Sequence, residues 1–573
     1  MKAKRRSVHL VGLVALSFLI ALGSARADSN SVFLINVTNN VPMAIDQYTG
    51  VGVKIGQLES SVPDTNNLLL GGAVKLTTNL FAGTSGRISS HPTEVAGTMV
   101  STGLTTLGAA PGASLYSVGF SSAGVPGGYA SDQAFLNNEM NSLWFLATNS
   151  LTGVQIINMS FGSKSVTNAG YTGGGAPINV GRLFNDIGTN AEEVAIDSFV
   201  SLSRVTVVKS AGNDGDNQSA GAGSVGGTNT ISAPAGAYNI ITAGAVSNVL
   251  AGTGGTNVTD FSSGGYLVNG RSAVDIVAPG QGMLMPTTNN PAAPVGPHSA
   301  TASADGTSFA APQVAAVIAR LDQYESTFLN SNAATDPRTI KAVLLNSATK
   351  LPGWGQGSVV GGTAGLQGTL TGTVTQVLQP LDPFQGAGLL NANGALLQMA
   401  GGQHSPTIQQ LGYVSSIHPS DPITGWDFNT VSLNLTNFYQ LDERTAGTLA
   451  ITLDWYRDTT AWSGAGTNNI LGMANLNLNL YSSANSQYTN TPLVAQSIST
   501  VDNIQHLWFT NVPSAYYEFG VIYKGYASQG GPTPGDESYS IAWSFTPIPE
   551  PSSLLLAALG LTALWWRMGR RKT

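Results

Sequence analysis

The sequence predicts an α/β fold, a doubly wound parallel sheet, followed by an antiparallel β-sandwich. Three observations predict it. From about Gly50 to Ala400, short apolar β-rich runs alternate with helical patterns. After about Gly402 the helical pattern stops and residues alternate with period two instead. Glycine- and threonine-rich stretches interrupt the first of these regions, which marks surface insertions between its elements.

Composition bounds what such a chain can do. It has 573 residues, 69 glycines, no cysteine, 42% hydrophobic residues and 10% charged residues. That apolar content is enough for a large core and two or three domains. The absence of cysteine excludes thiol nucleophiles, disulfides and cysteine-ligated metals together. The formal charge is −7, yet the basic residues crowd the two ends and leave residues 28–548 with 15 positive and 30 negative charges. A body that acidic is repelled by phosphate backbones, so no nucleic-acid partner is expected.

Both ends read as targeting segments. Lys2 to Arg6 form a positive region, Val8 to Leu22 an apolar one, and Ala25-Arg26-Ala27 a cleavage site, so 1–27 is expected to be a signal peptide. At the far end Pro549-Glu550-Pro551 precedes an apolar run from Leu554 to Trp566 and then Arg567, Arg570, Arg571 and Lys572. That run is short for a transmembrane helix, while Trp565, Trp566 and the basic cluster make an interfacial stop. The order resembles the PEP-CTERM sorting signal of Gram-negative bacteria. The resemblance implies export and sorting machinery as partners, transient inner-membrane anchoring, and release to the cell envelope, cell surface or medium after processing. The expected organisation is therefore signal peptide 1–27, N-terminal extension 28–50, first domain 51–401, β-sandwich 402–546 and sorting segment 547–573.

Within the first domain, strands are expected at Val53–Leu58, Val154–Met159, Val205–Val208, Ile240–Val246 and Val274–Val277. Continuous apolar strands separated by helices argue for a parallel sheet covered on both faces. Stretches 163–190 and 353–376 read as surface insertions. In the second domain Val431–Leu435, Leu449–Leu453 and Leu476–Leu480 read as half-buried strands. Trp455, Trp508 and Trp543 are read there as sandwich core in preference to a carbohydrate or protein surface.

Three strings carry chemistry. Asp305-Gly-Thr-Ser308-Phe-Ala-Ala-Pro312 leads into a helix in which Val314, Val317, Ile318 and Leu321 share a face. Ser308 is thus placed at a helix entrance, where a backbone N–H and the helix dipole favour developing negative charge; Gly306 is read as allowing a sharp turn and Pro312 as a first-turn residue. Against this stands the plain reading of Ser308 as a helix cap. His91 precedes a second small-residue-rich helix start. Asn213 follows the buried strand Val205–Val208 in Ser-Ala-Gly-Asn213-Asp-Gly, where it is either an oxyanion donor or a turn residue.

Taken in order, Gly52 to Glu59, His91 to Thr98, Ile157 to Gly162, the Asn213 string, Ile276 to Gly280, Gly306 to Pro312 and Gly386 to Asn391 resemble the motifs of subtilisin-like serine proteases, the subtilases. The resemblance implies a serine-type endopeptidase acting on protein or peptide substrates by acyl transfer. Ser308 is then the nucleophile, His91 the general base and acid, Glu59 the acid of the triad, and Asn213 with the Ser308 N–H the oxyanion hole. Ser160, Phe161 and Gly162 resemble the edge of the pocket that takes the substrate side chain before the cut. The chain departs from the family at Glu59, where aspartate is usual, at Pro92, where glycine follows the histidine, and at Glu94, which replaces a second histidine. The stretch between Ala27 and Gly52 is also too short for a common inhibitory propeptide. The alternatives are a catalytically inactive surface binding or matrix protein on the same fold, and a Glu-Asp-Ser site of the sedolisin kind. No metal site is expected; calcium at Asp502 or Asp536 has no clear motif behind it.

Overall fold

A computed structural model describes residue 35 and residues 45–548, except 81–87, 121–131, 163–190, 216–229, 248–256, 268, 291–295, 361–369, 371–372, 407, 411–421, 442–444, 463–469, 485–490 and 527–534. The signal peptide, the insertion at 163–190 and the sorting segment from 549 onward therefore lie outside the described residues. Among the described residues no helix is long and apolar enough to cross a membrane.

Seven strands form the first sheet: β1 Lys54–Glu59, β2 Val74–Asn79, β3 Ser114–Gly119, β4 Ile156–Met159, β5 Thr206–Ser210, β6 Ile241–Ser247 and β7 Ile276–Gln281. Their order is β2-β3-β1-β4-β5-β6-β7, and every pairing is parallel. From β1 the chain goes to the edge strand β2 and returns inward to β3 beside β1, then crosses to β4 and winds outward through β5, β6 and β7 on the other side. The direction reverses between β1 and β4, and side chains at those carboxyl ends meet in one crevice.

Burial explains the run-like strand sequences. All five residues of β5 are buried, with Val208 in the core beneath one pair of helices, Ser90–Val100 and Thr307–Phe328. Val207 lies in the core beneath the other pair, Asp132–Thr148 and Ala191–Ser203. Alternate residues thus serve opposite layers, which demands apolar residues at both.

A two-stranded ribbon, β8 Met283–Pro286 with β9 Thr301–Ala304, precedes the helix Thr307–Phe328, and Pro286 abuts Gly97 of the helix Ser90–Val100. The remaining strands are β10 Ser358–Val360, β11 Thr375–Gln379, β12 Ile408–Gln410, β13 Thr424–Val431, β14 Thr436–Leu441, β15 Gly447–Trp455, β16 Arg457–Thr459, β17 Ile470–Ser483, β18 Leu493–Ser497, β19 Ile504–Val512, β20 Tyr516–Tyr526 and β21 Glu537–Pro547.

They build an eight-stranded sheet, with order β10-β11-β18-β17-β20-β14-β12 and β16 against β17, and a four-stranded sheet, β13-β21-β15-β19. All pairings are antiparallel except β11 with β18. One core serves both sheets: Trp455 and Trp543 are fully buried in it, and Tyr439 stacks on Phe519 with ring centroids 5.1 Å apart. Trp508 instead lies partly exposed against Trp354.

Two expectations change. Val431–Leu435 is not a strand: β13 ends at Val431, and Asn434 adopts a left-handed conformation in the turn before β14. An alternating pattern does not distinguish a strand from a tight turn between two strands. The stretch 353–376 contributes β10 and the start of β11 to the eight-stranded sheet, because Ser358–Val360 pairs with β11 and Thr375 and Gln376 pair with β18. The helix Pro337–Ser347 joins the two regions by packing on β15 and β21, with Thr339 Oγ1 and Ser540 Oγ 2.7 Å apart.

Candidate active site

Glu59 is the last residue of β1 and is buried, so its carboxylate emerges at the carboxyl edge of the sheet. His91 is the second residue of the helix Ser90–Val100. Its Nδ1 lies 3.2 Å from Glu59 Oε2, while its side chain is 42% exposed. Burial works to lower the imidazole pKa, but the charge and hydrogen bond of Glu59, helped by the Glu94 charge, outweigh it and hold the pKa above its ordinary value.

Pro92 is accommodated because it falls in the first helical turn, where its missing N–H costs no helical bond. Its carbonyl accepts from Gln57 Nε2 at 2.9 Å, which ties the helix start to β1. Glu94 is buried one turn on and accepts from Thr287 Oγ1 at 2.8 Å.

The two other acids near β1 are engaged elsewhere. Asp64 is fully buried, 3.0 Å from His298 Nε2, and accepts from Thr288 Oγ1 at 2.8 Å. Asp46 lies in a short 3-10 helix, Ile45–Gln47, near Arg320.

Ser308 is the second residue of the helix Thr307–Phe328. Pro312 does not lie in the first turn as the sequence suggested: it is the sixth residue of that helix. Lacking an N–H, it cannot satisfy the Ser308 carbonyl one turn back. Ser160 Oγ donates to that carbonyl at 2.9 Å instead, and the Ser308 hydroxyl donates to the Ser160 carbonyl at 3.1 Å. No hydrogen bond joins Ser308 to His91 among the described residues; the His91 ring lies 5.9 Å from that of Phe309.

Gly306 also differs from expectation, since its backbone is extended (φ 160°, ψ 150°) and makes no left-handed turn. A Cβ there would stand 3.3 Å from Asn213 Nδ2, so a larger residue would press on the Asn213 amide.

Asn213 follows β5 through Gly212, whose φ of 115° favours glycine. Its Oδ1 accepts from the Thr307 N–H at 2.8 Å and from Thr307 Oγ1 at 2.9 Å, and Thr307 Oγ1 also reaches the carbonyl and N–H of Gly212 at 3.1 Å. With the oxygen end held, the Nδ2 donors of this exposed side chain are left for another acceptor. Thr307 was missed by the sequence reading; its place beside Ser308 in Gly306-Thr-Ser308 was the available signal.

Residues from the ends of β1, β4 and β5 and from two helix starts thus converge. The arrangement can accept a proton at a half-buried imidazole backed by a carboxylate and offers a helix-start hydroxyl beside free amide donors. Among the described residues no group of acids or histidines is placed to hold a metal ion.

Residues 83–368 match the model of the subtilase family, and residues 547–572 match the PEP-CTERM protein-sorting motif. The family match begins beyond Glu59. Among solved structures, proteases from Pseudoalteromonas arctica PAMC 21717 are 18% identical over 65% of this chain and 99% of theirs, with a TM-score of 0.42. A cold-adapted subtilisin-like serine proteinase is 20% identical over 53% of this chain and 84% of its own, with a TM-score of 0.35. No curated protein matches the chain.

Proposed function

Because the chain belongs to the subtilase family of serine-type endopeptidases, we propose that it is an exported endopeptidase working through Glu59, His91 and Ser308. The observation that supports this reading most is the 3.2 Å contact between His91 Nδ1 and Glu59 Oε2 at the carboxyl edge of the sheet.

In this reading the Ser308 hydroxyl turns from the Ser160 carbonyl toward His91 Nε2 when substrate binds. Its oxygen attacks the scissile carbonyl as the proton passes to Nε2, and Glu59 holds the Nδ1 proton and stabilises the imidazolium. The Asn213 Nδ2 and the Ser308 N–H donate to the tetrahedral oxyanion. His91 then protonates the leaving amine, and water releases the acyl group by the reverse sequence. Ser160, Phe161 and Gly162 border the pocket for the residue before the cut.

The sorting motif suggests export to the cell envelope or surface. We extend this to cleavage of 1–27, brief anchoring by 549–573 and processing near Pro549. We divide the mature chain at about residue 401, with β10 and β11 lent to the second region.

Labelling with a fluorophosphonate probe, with Ser308→Ala as control, tests the catalytic reading. Labelling and casein hydrolysis are expected in the natural protein alone. Equal labelling of both proteins, or none of either, favours a binding or matrix role for the fold.

A further inference from the structure

We propose that Lys209 makes this site select substrates with an acidic side chain, aspartate or glutamate, immediately before the scissile bond. The proposal rests on the reading of Ser308 as nucleophile and of Ser160–Gly162 as the pocket edge.

Strands β4 and β5 are paired so that Met159 lies opposite Lys209. Beyond their ends run the segments 160–162 and 211–213, which we take as the two sides of the substrate crevice. Ser160 is bonded to Ser308 at its mouth. Deeper in, the two sides close on Ser232: a Cβ built on either Gly162 or Gly212 would come within 2.9 Å of Ser232 Cβ. The Lys209 ammonium sits beside this floor, 3.7 Å from the Cβ position of Gly162 and 5.4 Å from the centre of the Phe161 ring.

The ammonium is fully buried, and its two hydrogen bonds, 2.9 and 3.1 Å, go to the carbonyl and hydroxyl of its own neighbour Ser210. Among the described residues no carboxylate is hydrogen-bonded to it. Lys341, another buried lysine, has Asp275 at 3.2 Å and donates to two carbonyls.

An ammonium removed from water without a carboxylate in contact is costly, and its third N–H has no acceptor in the described structure. A carboxylate entering past Gly162 supplies both. The charged groups facing Lys209 are Glu59 on β1, Glu139 on the helix Asp132–Thr148 and Glu192 on the helix Ala191–Ser203. Burial outweighs them and pushes the lysine pKa down to about 8.

The test uses the mature protein and fluorogenic peptides that differ only in Glu or Gln before the cut. At neutral pH, kcat/KM for Glu is expected to exceed that for Gln by about tenfold or more. The ratio should fall as pH rises through about 8, as the ammonium loses its proton. Lys209→Met should bring the ratio to one. If that variant does not fold, the ratio in the natural protein and its pH course decide the matter.

Equal rates for Glu and Gln, or a preference that survives Lys209→Met, would overturn the proposal and leave Lys209 as a counter-charge to Glu139 and Glu192. If Ser308 is not labelled and neither peptide is cut, the catalytic reading falls by itself. The charge is then read from calorimetry with the peptides ending in Glu and Gln: tighter binding of the Glu peptide upholds the proposal and equal binding rejects it.

Discussion

Ser160 and Ser308 hold each other by two reciprocal hydrogen bonds, hydroxyl to carbonyl in each direction, at 2.9 and 3.1 Å. The pair exists because Pro312 leaves the Ser308 carbonyl without its helical donor. A residue at the end of β4 thereby sets the start of the helix Thr307–Phe328. Ser160→Ala should leave that buried carbonyl without a donor and cost about 1–3 kcal/mol of stability. Urea titration of the two proteins measures it; coincident curves would remove Ser160 from this role.

Glu59→Gln is expected to lower kcat by about 10⁴, since the amide cannot supply the charge that stabilises imidazolium. Asp64→Asn should lose stability and keep kcat, because Asp64 is committed to His298 and Thr288. Asp46→Asn should change neither. Wild-type activity in Glu59→Gln, with loss in either other variant, assigns the acid elsewhere.

The pH profile follows from the same contact. The base must be neutral to accept the serine proton, and His91 has a raised pKa. As pH falls, kcat/KM should therefore drop at a pH above the ordinary imidazole value of about 6.5. Glu59→Gln removes the raising charge, so whatever activity remains should persist to lower pH. An acid limb that does not move in the variant would show that Glu59 does not act on His91.

Asn213→Ala should lower kcat by about 10² to 10³ with little change in KM, as loss of one oxyanion donor does. Thr307→Val keeps the shape of Thr307 but removes the hydroxyl that grips Asn213 Oδ1. As a positioning change it should cost up to about 10² in kcat. If Thr307→Val lowers kcat in the Asn213→Ala background as much as it does alone, Thr307 acts by some route other than Asn213.

Deleting 549–573 should turn an envelope-associated protein into a freely released one, because a short apolar run with a basic end anchors only weakly. Mass spectrometry of the mature protein checks this: an intact tail on all extracellular copies would contradict processing near Pro549.

By itself the sequence determined the α/β layer with its parallel sheet, the antiparallel region after it, and the identity of the polar residues at strand ends and helix starts. These are local properties. A strand buried on both faces needs apolar residues toward each, as Val207 and Val208 of β5 supply, and Gly306-Thr-Ser308-Phe-Ala-Ala-Pro312 keeps its pattern whatever surrounds it.

Only the tertiary structure decided which residues meet. Glu59 and Asp64 are five positions apart and equally acidic; the end of β1 turns one toward His91, while the loop beyond turns the other toward His298. Pro312 read locally as a first-turn residue because a sequence does not show where a helix begins, and its consequence lies in a distant segment, at Ser160 just past the end of β4. Lys209 was invisible for the same reason. A lysine near the end of a strand reads as solvated, and only its tertiary surroundings, Phe161 and Gly162 among them, remove its ammonium from water.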